Sequence, residues 1–219
     1  MSLRERRSTA VRREEIAAAA MRIIGERGLP ALTTSTLAAE VGLTGGALFR
    51  HFASQEEILR HAARNAAAAI EGTFPDPSLP PLERLMTLAR NRVRTFAGNP
   101  GLVWFVRSDQ VQLVLPADAA DLLLDLVERS KRCVLEAIRQ GIRQGQIRDD
   151  VEPEVLQVLV LATIHALVGM SGLHRQSVRP PTGHERVLEG LGRLLAPAAA
   201  TRTAIRRKRP GNRHRETRP

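Results

Sequence analysis

Residues 33–59 read TTSTLAAEVGLTGGALFRHFASQEEIL, the pattern of two short helices joined by a tight turn and followed at once by a longer helix. Leu37, Ala38 and Val41 supply the apolar face of the first helix, and Thr34 or Ser35 can cap its unpaired backbone N–H groups. Gly42 ends that helix, because glycine takes the left-handed closing conformation without a Cβ clash. Leu43 then drops into the core as the turn residue, and Thr44 is placed to cap a second helix that carries Leu48 and Phe52 inward. Ser54 and Glu57 have the spacing of a capping box, in which each side chain satisfies the other residue's backbone donor. Two short helices at a steep angle leave the second free to enter a DNA major groove.

Toward the N-terminus, residues 13–28 place Ile16, Ala19, Ala20, Ile23 and Ile24 on a single stripe, with Gly28 as its stop. Toward the C-terminus the helical reading continues over residues 54–73, up to the proline-rich turn PDPSLPP at 75–81. Residues 82–97 follow, with Leu85, Leu88, Ala89, Val93 and Phe96 inward, and residues 102–107 allow one or two helical turns. Residues 117–145 form the longest helix, with Leu123, Leu126, Val127, Ser130, Val134, Ala137 and Ile138 on one face. Residues 154–173 and 184–195 complete the set. Aromatic residues make up only 3% of the chain and alternating β-branched runs are missing, so the fold class is all-α.

The N-terminal segment resembles the DNA-binding domain of the TetR family of transcriptional regulators. The resemblance rests on the order LTT, LA, a glycine-led turn, a short helix ending in an aromatic residue, then His51-Phe52, and the Ser54-x-Glu-Glu start of the next helix. It implies three domains or segments: an arm and helix-turn-helix at 1–53, a helical effector-binding and dimerisation domain at 54–197, and a basic tail at 198–219. By resemblance Thr34 is a phosphate contact, while Ser35, Thr44, Gly45 and Ala47 occupy positions that face bases. Gly45, Gly46 and Ala47 offer no hydrogen-bonding side chain, so base readout leans on Thr44, Ser35 and Arg50. Phe49 stands where the family usually has Tyr and Gln55 where it usually has Lys, which removes a hydroxyl and a cation from the phosphate-facing surface; His51 retains a donor. Arg4, Arg6, Arg7, Arg12 and Arg13 are candidates to replace them from the N-terminal arm.

Residues 155–173 contain no Asp, Glu, Lys or Arg, which is close to the length of a membrane span. Gln157, Thr163, His165 and Ser171 interrupt the run, and a buried helix shared between two chains is the reading preferred. The resemblance implies the same: the last two helices build a four-helix bundle across a two-fold axis, so a homodimer through residues 153–196 is expected. Gly169 and Gly172 either permit close helix approach or loosen the helix end. It also implies an effector cavity among the middle helices, for which Met86, Phe96, Trp104, Phe105, Val134 and His165 are the candidate lining.

No cysteine pair, metal-ligand spacing, nucleophile elbow or phosphate-binding glycine loop is present, so neither an enzyme nor a metal or cofactor site is expected. The single Cys133 and the lack of a secretory leader point to a cytoplasmic protein. Of the net charge of +10, seven units fall in residues 201–219, which makes the tail basic and, with little to bury, disordered by expectation. The functional expectation is a homodimeric repressor that binds a pseudo-palindromic operator and is released by a small hydrophobic or amphipathic effector. A low-specificity, nucleoid-type DNA-binding protein is the alternative that the bare recognition helix and the tail leave open.

Overall fold

The computed structural model describes residues 8–168 and 183–197, and all the regular structure among them is helix. The helices are α1 (Thr9–Arg27), α2 (Thr34–Glu40), α3 (Gly45–Leu48), α4 (Gln55–Glu71), α5 (Pro81–Ala97), α6 (Pro100–Arg107), α7 (Asp109–Val114), α8 (Ala117–Arg143), α9 (Pro153–Val168) and α10 (His184–Leu195). Residues 1–7, 169–182 and 198–219 lie outside the described part, and with them Arg4, Arg6, Arg7, Gly169, Gly172 and the basic tail.

Local chemistry sets most boundaries. The Ser8 hydroxyl accepts from the Val11 amide, so α1 begins four residues before the expected Arg13. Ile16, Ala19, Ala20, Ile23 and Ile24 are fully buried along one face, and Gly28 closes the helix at φ 79°. The cap of α2 is Thr33 rather than Thr34 or Ser35: its hydroxyl accepts from the Thr36 amide at 3.1 Å, which puts Thr34 in the first turn. Gly42 has φ 66°, as the turn requires, and the Thr44 hydroxyl caps α3 through the Ala47 amide at 3.2 Å.

The box at the start of α4 is displaced by one residue. Ser54 Oγ accepts from the Glu57 amide at 3.1 Å, but the Glu57 carboxylate reaches back to the amide of Ala53 at 2.7 Å, not to that of Ser54. Pro81 and Pro100 each sit in the first turn of their helices, where a missing N–H is harmless. The short α7 is an element the sequence pattern does not announce; it buries only Val111 and leaves Leu113 and Val114 exposed. Val127, expected inward on α8, is 40% exposed at the rim of a cavity.

Helix α1 packs on α6 and α4, and α4 lies along α8. Helix α5 fits between α8, α9 and α10, and α8 also packs on α9. One continuous apolar core runs from Ile16 and Leu48 in the N-terminal helices through Phe105 and Ile138 to Leu195. Burial on this scale supplies the main driving force for a chain with few cross-linking devices. No helix among the described residues is long and apolar enough to cross a membrane.

Candidate DNA interface and effector cavity

The α2–turn–α3 unit is held from behind. Phe52, 1% exposed, is covered by the Arg13 guanidinium 4.4 Å from its ring centre. Arg13 also donates to the His51 carbonyl at 3.1 Å and to Glu57 at 2.7 Å. The Ala53 amide and then Arg13 hold the Glu57 carboxyl below its ordinary range, so the clasp is fully charged at neutral pH. Gln55 donates to the Leu32 carbonyl at 3.0 Å and ties the start of α4 to the segment before α2. Arg13 and Gln55 are therefore engaged in the scaffold that aims the reader, and Arg12 pairs with Glu15 at 2.8 Å.

The outward surface is composed differently. Gly45, Gly46 and Ala47 form the first turn of α3, and a Cβ built on Gly46 would meet nothing within 4 Å. The backbone there can approach a nucleic acid more closely than any side chain would allow. Arg50 is exposed and has no ion-pair partner among the described residues, while Phe49 is 45% exposed. Thr34, Ser35 and Thr44 flank the same surface from the helix starts, where amide groups and hydroxyls suit phosphate oxygens. The His51 ring buries Nδ1 without a hydrogen-bond partner among the described residues, so any phosphate contact falls to Nε2. Replacing Thr34 or His51 by Ala should weaken binding to specific and random DNA about equally. Arg50→Ala should in addition relax sequence preference, losing roughly 1–3 kcal/mol at one base pair, as read by binding titrations against single-base variants.

The second feature is a cavity of about 110 Å³ between α4, α5, α6, α8 and α9. Of the candidate lining, Phe96 and His165 lie on its wall, whereas Phe105 and Val134 are fully buried elsewhere in the core. Met86 packs toward Gly192 of α10, and Trp104 is half-buried away from the cavity wall. The walls are mostly aliphatic, with Ile70, Leu88, Val106, Leu126 and Ile164 among them. The sequence reading missed Arg92. Its Nε donates to Thr73 Oγ1 and its Nη2 to Ser130 Oγ at 2.8 Å, and its guanidinium lies 5.3 Å from the Phe74 ring centre. Burial lowers its pKa to about 10, which still leaves it protonated at neutral pH. The His165 pKa is lowered, first by burial and then by the nearby charges of Arg107 and Arg92.

An all-helical fold with a buttressed N-terminal helix-turn-helix and a cavity among the helices that follow it has the build of a one-component, DNA-binding regulator. The chain matches the model of the TetR family of bacterial regulatory proteins over residues 16–62, the segment that holds the reader. It is a transcriptional regulator, not an enzyme. The transcriptional repressor KstR2 of Mycobacterium tuberculosis (strain ATCC 25618 / H37Rv) is 26% identical over 148 residues, covering 66% of this chain and 74% of that protein. The repressor AcnR of Corynebacterium diphtheriae is 26% identical over 159 residues, covering 73% of this chain and 80% of its own. The fold is that of the solved KstR2 of M. tuberculosis, with a TM-score of 0.70 at 22% identity over 84% of this chain and 95% of that one. It is also that of AibR in complex with isovaleryl coenzyme A and operator DNA, with a TM-score of 0.68 at 18% identity over 84% and 97% of the two chains.

Proposed function

We propose that the protein is a repressor that binds a pseudo-palindromic operator as a homodimer through α9 and α10 and leaves it when a small amphipathic effector enters the cavity. A cytoplasmic location goes with that role. The observation that carries the reading is the pairing of a complete reader with an apolar face on α9 that no other described residue covers. Val155, Val158 and Leu159 are 46%, 64% and 51% exposed there, and Leu194 of α10 is exposed as well. Patches of this kind mark an interface, and a two-fold contact would set two recognition helices at a fixed spacing.

Two helices connect the cavity to the reader. Helix α4 begins at the Ser54 cap beside the reader and brings Ile70 to the cavity wall, and α6 has Val106 and Arg107 on that wall and its first turn against α1. An effector that weakens operator binding a hundredfold needs about 2.7 kcal/mol of differential affinity for the two arrangements. The bare first turn of α3 favours one second reading, a DNA protein of low specificity. Titrating selected genomic fragments against random duplexes at fixed salt separates the two: a repressor prefers its site by about a thousandfold or more, whereas a low-specificity protein binds both alike.

A further inference from the structure

We infer that the effector carries an anionic head group on an apolar body, and that Arg92, with Arg107 on the wall of the same cavity, receives the anion. This rests on the reading of the cavity as an effector site. Four basic side chains reach the cavity from four different helices, Arg92 from α5, Arg107 from α6, Lys131 from α8 and His165 from α9, and no Asp or Glu lines it among the described residues. Lys131 is neutralised by Glu128 at 2.7 Å, but neither Arg92 nor Arg107 has a carboxylate within ion-pair distance among the described residues. Residues 169–182, which follow α9 in the chain, contain no acidic residue.

The environment of Arg92 carries the inference. Taking a guanidinium out of water is costly, and a fold that only needed packing there would place a hydrocarbon side chain or supply a carboxylate. Here the partners are two neutral hydroxyls, Thr73 and Ser130, whose own protons are given to the carbonyls of Ile70 and Leu126. Those hydroxyls are thereby fixed as acceptors, so they orient the guanidinium without cancelling its charge. Arg92 Nη1 donates to no group among the described residues. The result is a positioned cation in a mostly aliphatic cavity, with no carboxylate in contact among the described residues; Glu71 acts on it only from a distance and is itself paired with Arg129 at 2.8 Å. Such a cation is the complement of an amphipathic carboxylate or of the phosphate of an acyl thioester carrier.

Calorimetric titration of the full-length protein with octanoate, octanol, octylamine and octanoyl-coenzyme A tests this. Octanoate should bind about tenfold or more tightly than octanol, and octylamine least; Arg92→Met should erase that preference by about tenfold while leaving octanol binding in place. Arg107→Gln, at an exposed position, should lower octanoate affinity in the same direction and serves if the buried substitution disturbs folding. Octanoyl-coenzyme A binding that depends on Arg92 while octanoate fails to bind would support the anion and assign it to the carrier's phosphates. Octanol or octylamine binding as tightly as octanoate would overturn the anionic head group and leave the effector cavity standing. No binding by any of the four to folded, DNA-competent protein would overturn the effector reading itself.

Discussion

Val158→Glu should give a folded chain that sediments as a monomer at micromolar concentration and binds its operator about a hundredfold or more weakly. Val158 is 64% exposed in the single chain, so a carboxylate there meets water and leaves the helix intact. Across a two-fold axis the same substitution puts two like charges into an apolar contact, where the desolvation of each costs several kcal/mol. Losing the dimer removes the linkage between half-sites, and the second recognition helix no longer adds its share of binding energy. The contrast with Val160→Glu makes the result specific. Val160 is fully buried against the rest of the chain, so that substitution should unfold the protein instead, as circular dichroism would report. A Val158→Glu chain that remains dimeric would move the interface away from α9.

Gly101→Ala should lower the melting temperature by roughly 4–10 °C and blunt operator release by an effector, because the first turn of α6 lies directly on the backbone of α1. A Cβ at Gly101 would fall 2.6 Å from the Met21 carbonyl oxygen, 2.8 Å from its carbon and 3.2 Å from the Arg22 nitrogen. Backbone atoms cannot swing aside as a flexible side chain does, so the two helices must separate. Helix α6 carries Val106 and Arg107 at its other end, on the cavity wall, and any displacement of its first turn is transmitted along a two-turn rigid body. Scanning calorimetry reads the stability change, and operator titration with and without effector reads the coupling. An unchanged coupling in the folded variant would leave α4 as the sole route from cavity to reader.

Much of this fold is legible in the chain because its helices are strongly periodic and well punctuated. The stripe from Ile16 to Ile24 and the Leu85–Phe96 stripe are buried as their spacing requires, and α10 begins and ends at His184 and Leu195 as expected. The errors fall where several residues of one chemistry compete or where packing, not pattern, decides. Residues 33–36 are all hydroxyl-bearing, so the sequence cannot say which one caps α2. Helix α7 is six residues long and exposes two of its apolar side chains, leaving too short a period to detect. The reader's surface is legible by position, but the engagement of Arg13 and Gln55 in the scaffold depends on partners 44 and 23 residues away.

The cavity is the least legible part, since an apolar side chain facing a void and one facing another side chain look alike in sequence. One signal does point to it. Leu85, Leu88, Ala89, Arg92 and Phe96 share a helical face, and a charged residue within such a stripe marks either a buried ion pair or a polar site. Ser130 interrupts the inward face of α8 in the same way, and the two side chains meet at 2.8 Å. Two polar interruptions of apolar stripes on different helices, taken as partners, mark the cavity by pattern alone.

Sequence-specific, two-fold DNA recognition is the property on which the repressor reading depends, and selection from a pool of random duplexes with the full-length protein tests it most directly. The prediction is an enriched motif of two inverted half-sites at a fixed spacing, bound by one dimer, with preference lost at one position in each half-site when Arg50 is replaced by Ala. A pool that stays random through successive rounds, although the protein binds it, would contradict the repressor reading and leave a DNA-binding protein of low specificity.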